Sequence, residues 1–395
     1  MPESSSITES RAQAEQPSSA TGFGPQTILL NASYGPSLTR FRGRLIEAMV
    51  KQGHRVHVSA PNIDETLAHA LRSLGAVPHS IALSRTGLSP IADLRYFMDM
   101  RRLLRETGAQ LCFSYTIKPN IWASLAARSL GVRSASMVTG LGYAFAETRS
   151  LKQKLGRLVA RLLYRVATAG NDVILFQNPD DPKDFIDEGC LGDATKAKVV
   201  NGSGVDLQYY APAPLPEQPV FLMICRLIGA KGVREYAEAA VSIRASGRAA
   251  RFLLAGFHDD GPASISPAEL RAWQDTGLEY LGPLDDVRPA LADASVYVLP
   301  SYYREGTPRS TLEAMAMGRA IVTTDMPGCR ETVIEGLNGF LIPPRDSKSL
   351  AAAMARLIDE PDRIARMGQQ SLALCQSKFD VDLVNQDMLR HLSLD

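Results

Sequence analysis

Two carboxylates, Glu305 and Glu313, stand eight positions apart in the run Tyr302-Tyr303-Arg304-Glu305-Gly306-Thr307-Pro308-Arg309-Ser310-Thr311-Leu312-Glu313. Ahead of them, Ser295-Val296-Tyr297-Val298-Leu299-Pro300 reads as a buried strand that stops at its proline. Beyond the turn set by Gly306 and Pro308, Leu312, Met315, Ala316 and Ala320 recur at helical spacing. The amides between Gly306 and Thr311, at the helix N-terminus, are therefore left to face an anion. Glu305 lies on the loop and Glu313 about one turn into the helix, with both expected at the same mouth of the sheet. Carboxylates accept from sugar hydroxyls while amides hold charge, so the arrangement suits a polyhydroxylated ligand carrying phosphate. A glutamate early in a helix also serves as plain dipole complementation on a solvated face. The segment alone leaves both readings open.

A second constellation is Val220-Phe221-Leu222-Met223-Ile224-Cys225-Arg226-Leu227-Ile228-Gly229-Ala230-Lys231-Gly232, a strand running into a loop and then a helix. Arg226 and Lys231 fall at the carboxyl edge of the sheet and match the two charges of a nucleotide diphosphate. Each charge-assisted contact contributes about 1.5–3 kcal/mol. Solvated loop cations are the competing account. Three further loops end strands. Asn31-Ala32-Ser33-Tyr34-Gly35-Pro36 offers Gly35 for close backbone approach, or for a simple tight turn. Ser114-Tyr115-Thr116-Ile117-Lys118-Pro119-Asn120 and Val138-Thr139-Gly140-Leu141-Gly142 face the same cleft. Pro119 suits a first helical position. Lys118 either meets a phosphate or hydroxyl of an acceptor, or buries its stem on a rim. No G-x-G-x-x-G fingerprint is present.

These loops need a scaffold, and the pattern supplies one. Short apolar runs at 27–31, 55–60, 79–83, 110–114, 134–138, 172–177 and 198–201 alternate with helical stretches such as 38–52, 90–106 and 119–130. The alternation predicts an α/β fold with a parallel, doubly wound sheet. Tyr210-Ala211-Pro212-Ala213-Pro214-Leu215-Pro216 is a proline-rich connector, after which strands recur at 220–225, 251–255, 278–281, 296–299 and 320–323. Two Rossmann-like domains follow, 26–205 and 206–378, facing each other across a central cleft. Residues 1–25 read as a disordered tail.

Composition excludes several classes. A chain of 395 residues with a net charge of +1 is not built like a nucleic-acid binder. Its five cysteines and six histidines show no metal-ligand spacing, so no metal site is expected and the thiols read as reduced, in a cytosolic protein. No apolar run is long enough to span a bilayer. Leu151–Arg165 carries Lys152, Lys154, Arg157 and Arg161 beside an apolar stripe, with no acid among them. Such a helix adsorbs to anionic lipid or packs its stripe on its own sheet.

The motifs resemble those of retaining glycosyltransferases of family 4, which have the GT-B fold, over nearly all of 26–395 and most strongly over 219–345. The resemblance rests on Glu305-Gly306-Thr307-Pro308-Arg309-Ser310 with Leu312-Glu313-Ala314, and on Arg226-Leu227 with Lys231-Gly232. It implies a nucleotide sugar as substrate, most simply a UDP-sugar. Glu313 would meet the ribose and Glu305 the transferred sugar. Arg226 and Lys231 would hold the diphosphate. Gly306, Thr307, Ser310, Thr311 and Gly35 would complete the donor site. Cys225 and Lys118 stand where the family commonly has Gly and His. Thr116, Lys118, Thr139 and Gly140 resemble the acceptor loops of a bacterial subgroup that glycosylates polyprenyl-diphosphate-linked glycans for capsule, exopolysaccharide, O-antigen or glycoprotein assembly. Such enzymes work without a metal cofactor at the inner face of the cell membrane. The implied activity is hexosyl or N-acetylhexosaminyl transfer, and a terminal helix, 379–395, would cross back to the first domain. A sugar-nucleotide 2-epimerase shares the architecture and remains the alternative.

Overall fold

The computed structural model describes residues 24–84, 89–142, 151–258, 261 and 263–395, with the side chains of 151–153 excepted. Most of the expected tail therefore lies outside the described residues. The N-terminal lobe runs β1 (Thr27–Asn31), α1 (Pro36–Arg40), α2 (Gly43–Lys51), β2 (Arg55–Ala60), α3 (Glu65–Ser73), β3 (Val77–Ser80) and α4 (Pro90–Thr107). It continues with β4 (Leu111–Tyr115), α5 (Ile117–Arg128), β5 (Arg133–Val138), α6 (Leu151–Thr168), β6 (Val173–Phe176), α7 (Asp180–Asp187) and β7 (Ala197–Val199). All the pairings are parallel, in the order β3-β2-β1-β4-β5-β6-β7. Strand side chains alternate between two cores. Ile28 and Leu30 face Leu45, Ile46 and Met49 of α2, while Leu29 faces Tyr96, Met100 and Leu104 of α4. Burial at nearly every position of β1, β2, β4, β5 and β6 is what a sheet covered on both faces requires.

The C-terminal lobe repeats the plan. Its elements are β8 (Val220–Ile224), α8 (Val233–Ala245), β9 (Arg251–Ala255), α9 (Pro267–Asp275), β10 (Leu278–Tyr280), α10 (Arg288–Ala292) and β11 (Val296–Leu299). They continue with α11 (Arg309–Ala316), β12 (Ala320–Thr324), β13 (Gly339–Ile342), α12 (Ser347–Asp359), α13 (Pro361–Leu374) and α14 (Val381–Leu392). Strand order is β10-β9-β8-β11-β12-β13. Each sheet reverses its winding once, between β1 and β4 and between β8 and β11. The loops after those four strands are the ones singled out above, and ligands of open α/β sheets bind at such points.

Helix α14 leaves the lobe that precedes it in sequence. Val384, Met388, Leu389 and Leu392 join the core of β1, β4 and α2. The chain passes between lobes at one place, where Val205 N–H donates to Phe379 O (2.8 Å) and Val381 N–H to Val205 O (3.0 Å). Gly204 has φ +66°, and a Cβ there would stand 2.5 Å from Val381 Cα.

The lobes also meet in the cleft, around Arg304–Thr307. Gly142 N–H donates to Arg304 O (3.1 Å), and Thr307 Oγ1 donates to Gln177 O (2.7 Å). Asn178 Nδ2 donates to Asp181 Oδ2 (2.9 Å) and to Glu305 O (3.2 Å). Arg304 pairs with Asp184, and Arg330 with Asp180 at 2.9 Å. Gly306 is confined on both sides: a Cβ there would meet Gln177 Oε1 at 2.1 Å and Thr139 O at 2.9 Å. A Cβ on Gly140 (φ +109°) would meet Gly306 N at 2.5 Å, and one on Gly328 would meet Gly306 O at 1.8 Å.

Local departures from the sequence reading have physical causes. The stretch expected as one helix over 38–52 is two, interrupted at Phe41–Arg42, where Arg42 turns inward and is fully buried. Helix α5 starts at Ile117, two residues before Pro119, because Thr116 takes φ 73° and turns the chain at once. β13 was not expected from the sequence; it begins at Gly339, where a Cβ would stand 1.9 Å from Ile321 O.

Two stability measurements follow. Met388→Ala should cost about 2–5 kcal/mol in denaturant unfolding, since its side chain is wholly buried between the crossing helix and the first sheet. Asp181 is buried with Oδ1 unpartnered. Burial foremost pushes its carboxyl up to about 7, against the opposing Asn178 hydrogen bond and Arg304. Between the unfolded value of about 4 and about 7, the folded chain then holds a proton that the unfolded chain has lost. Its contribution to stability therefore falls as pH rises through that window. Asp181→Asn should leave a smaller drop in the urea midpoint between pH 5 and 8 than the wild type shows.

Candidate active site

At the switch point of the C-terminal sheet, β8 and β11 deliver their loops side by side. Lys231 pairs with Glu305, and Ser301 Oγ donates to the same carboxylate oxygen at 2.9 Å. Burial pulls the lysine's pKa down, but the Glu305 carboxylate outweighs it and holds it above its ordinary value. Tyr303 lies between the two cations, its ring centre 5.9 Å from Arg226 Cζ and 5.6 Å from Lys231 Nζ. The structure thus brings Arg226, Lys231 and Glu305 together. An ammonium group has three donors; one is spent on Glu305, and two can serve phosphate oxygens. Cys225, just before Arg226, is an inert thiol, raised to about 12 by burial.

Glu313 has a different environment. Its Oε1 accepts from Tyr210 Oη (2.9 Å) and from Arg309 Nε (3.1 Å). Burial raises its pKa, with Arg309 opposing. It lines a cavity of about 400 Å³ with Tyr209, Leu284, Asp286, Arg40 and Arg44, whereas Glu305 lines one of about 230 Å³ with Thr116, Thr139, Gly140 and Tyr303. Each carboxylate thus lines a cavity of its own. Tyr297, fully buried on β11, has its hydroxyl 3.0 Å from Ile224 O and 2.6 Å from Ser310 Oγ. Of the two hydroxyls expected to face a donor next to Glu313, Ser310 Oγ accepts from Tyr297, and Thr311 is buried with Oγ1 unpartnered. Thr307 likewise spends its hydroxyl on Gln177.

The loops of the N-terminal lobe supply the other wall. Thr116, a β-branched residue at φ 73° and ψ 159°, donates to Ser33 Oγ at 2.8 Å. Strain of this kind persists only where the surroundings over-determine it, and it clusters at functional sites. Thr139 and Gly140 press on Gly306, as above. Lys118 is not among the residues lining the Glu305 cavity; its ammonium is held by buried Asp93 at 2.8 Å, which favours the rim reading over acceptor contact. Gly35 opens α1 on the loop after β1, where a Cβ would meet only the end of the Leu67 side chain, at 2.8 Å from Cδ2.

On α6, Leu155, Leu158, Leu162 and Val166 are exposed, while Tyr164 and Ala167 are buried. The apolar stripe therefore faces outward and does not pack on the sheet. Arg157 pairs with Glu188 at 2.6 Å and Arg161 also pairs with it, so these two cations share one carboxylate just past the end of α7. Lys154 is exposed, and the Lys152 side chain lies outside the described residues. Among the described residues no helix is long and apolar enough to cross a membrane.

Sequence reasoning missed Tyr210, Asn178 and Asp181. Tyr210 sat in a connector read only for its prolines, and it reaches Glu313 across 103 positions. Asn178 could have been noticed as an asparagine ending a strand and followed by Pro179-Asp180-Asp181, a capping signal. Nothing local reveals its contact with Glu305.

The family described as Glycosyl transferase 4-like domain matches residues 38–189, and that described as Glycosyl transferases group 1 matches 218–360. A Campylobacter jejuni protein, N,N'-diacetylbacillosaminyl-diphospho-undecaprenol alpha-1,3-N-acetylgalactosaminyltransferase, is 27% identical over 372 residues, 90% of this chain and 95% of its own. An Escherichia coli protein, UDP-Gal:alpha-D-GlcNAc-diphosphoundecaprenol alpha-1,3-galactosyltransferase, is 28% identical over 69% of this chain and 72% of its own. Among solved structures, Anabaena HepE in complex with UDP superposes with a TM-score of 0.72 at 18% identity, covering 93% of this chain and 99% of that one. The two family models together cover most of the chain, which belongs to the glycosyl transferases of the group 1 and 4-like kind, and the superposition shows the GT-B fold.

Proposed function

We propose that the protein moves a hexosyl or N-acetylhexosaminyl unit from a UDP-sugar, with retention, to a glycan carried on polyprenyl diphosphate. The observation that carries this reading is the Lys231–Glu305 pair beside Arg226, at the junction of the donor-side loops and the facing lobe. The nucleoside belongs in the chamber of Glu313, Tyr209 and Leu284, and the sugar and acceptor in that of Glu305, Thr116 and Thr139. Both named curated relatives above act on diphospho-undecaprenol-linked glycans, and a structural neighbour binds UDP. These support the choice of donor and acceptor over the epimerase.

In this reading, breaking the anomeric C–O bond builds negative charge on the diphosphate. Arg226, Lys231 and the amides opening α11 stabilise that charge without a metal ion. Attack comes from the face the diphosphate leaves, and the departing phosphate oxygen takes the acceptor's proton. Glu305 accepts from hydroxyls of the moving sugar and orients it. The exposed ridge of α6 rests on the inner face of the membrane, beside an acceptor whose lipid lies in the bilayer. Exposed Ile91, Leu94 and Met98 of α4 add apolar area.

Arg226→Ala and Glu305→Gln should each lower turnover at saturating donor by about 100- to 1,000-fold, with circular dichroism unchanged; wild-type rates would remove both assignments. Glu313→Gln should instead raise the donor KM. NMR of the product should show the donor's anomeric configuration kept, and an inverted product excludes front-face attack. Leu155, Leu158 and Leu162 changed together to Ser should weaken sedimentation with anionic vesicles at least about 10-fold. Undiminished binding would detach the protein from the bilayer.

A further inference from the structure

Glu305 is fixed by atoms of both lobes. Lys231 and Ser301 donate to its carboxylate, and its own N–H donates to Tyr303 O (2.8 Å), all within the C-terminal lobe. Its carbonyl turns the other way. It accepts from Asn178 Nδ2 at 3.2 Å, and Gly306 O lies 3.4 Å from the same nitrogen. Asn178 stands just beyond β6 of the N-terminal lobe and is wholly buried. The carbonyl of its neighbour Gln177 accepts from Thr307 Oγ1 at 2.7 Å. Glu305, Gly306 and Thr307 are thus held by two consecutive residues of the facing lobe.

The two ends of the Asn178 carboxamide meet different partners. Oδ1 accepts from the N–H groups of Asp180 (3.1 Å) and Asp181 (2.8 Å), which open α7. Nδ2 faces acceptors only: Asp181 Oδ2 at 2.9 Å and the carbonyls of Glu305 and Gly306. Donors on one side and acceptors on the other fix which way the amide points. Capping α7 and reaching Asp181 take one N–H of the amide; the second is spent across the cleft. A serine or an aspartate would cap the helix as well. An aspartate has no proton to give, and a serine has one, on a shorter stem. The contact with the other lobe is what calls for asparagine.

We propose that Asn178 is a positioning residue for sugar transfer, setting from the N-terminal lobe where the Glu305 carboxylate stands against the moving sugar. The proposal rests on the role given to Glu305 above. The bonded carbonyl and the carboxylate belong to one residue. Gly306 beside it is hemmed in by Thr139, Gln177 and Gly328, so repulsion at the Glu305 carbonyl is relieved only by moving residue 305. A misplacement of about 1 Å costs on the order of 100-fold in rate. Glu313 is bypassed, since Tyr210 and Arg309 hold its carboxylate and it lines the other cavity. Turnover should therefore fall while nucleotide affinity stays.

The test swaps the pair, Asn178→Asp together with Asp181→Asn, in the full chain, and compares it with Asp181→Asn alone. The swap keeps α7 capped and keeps a hydrogen bond between positions 178 and 181 with its direction reversed. It also sets a carboxylate oxygen against the Glu305 carbonyl. Assays use the common UDP-hexoses and UDP-N-acetylhexosamines with an undecaprenyl-diphosphate-linked monosaccharide. Relative to Asp181→Asn, the swap should lose about 100-fold in turnover, with UDP affinity and circular dichroism unchanged. Added to Glu305→Gln it should cost almost nothing more, because both changes act through one carboxylate. Undiminished turnover, or costs that multiply with Glu305→Gln, overturns the proposal. Loss of UDP affinity along with turnover overturns it too and makes Asn178 a scaffold residue. A wild type that binds UDP but transfers no sugar overturns the substrate reading instead. Amide hydrogen exchange over 304–307 then decides separately: faster exchange in the swap keeps Asn178 as the residue that holds the loop, and unchanged exchange removes it.

Discussion

The close contact of Gly306 with both lobes governs everything else in the cleft. Its backbone passes between Thr139, Gly140 and Gln177 on one side and Gly328 on the other, with no space for a side chain. Residue 305 is therefore shared. Its carbonyl is held by Asn178 from the N-terminal lobe, and its carboxylate by Lys231 and Ser301 from the C-terminal lobe. A carboxylate positioned in this way is correctly placed only while the lobes touch. Dense packing makes such contacts two-valued rather than elastic.

The ion distribution around this contact divides the cleft. Glu305 and Lys231 neutralise each other, as do Glu313 and Arg309, while Arg226 adds positive charge near Tyr303. A nucleoside diphosphate has the complementary pattern, with neutral hydroxylated ends and an anionic middle. The outer face has its own division: exposed leucines on α6 sit above arginines already committed to Glu188. That face offers apolar area more than the charges that first drew attention.

Much of this was legible in the chain. Strands buried on both faces announce themselves as short apolar runs, and β1, β9 and β11 lie where those runs do. Arg226, Lys231 and Glu305 were legible because strand ends bring short loops together whatever the details. What could not be read depended on partners distant in sequence. Lys118 looked like a cleft residue until Asp93, 25 positions earlier, proved to hold it. The direction of the α6 stripe depended on where α5 lay, and the burial of Arg42 on a two-residue break between helices. Residue types predict chemistry; which side chain finds which partner is settled by tertiary packing.

One more consequence comes from the strap at Val205 and Phe379–Val381. Both covalent passages between the lobes are stitched together there, with Gly204 against Val381. Translation of one lobe along the other would tear the stitch, whereas swivelling about it preserves both hydrogen bonds. The gap therefore gapes widest far from this pivot.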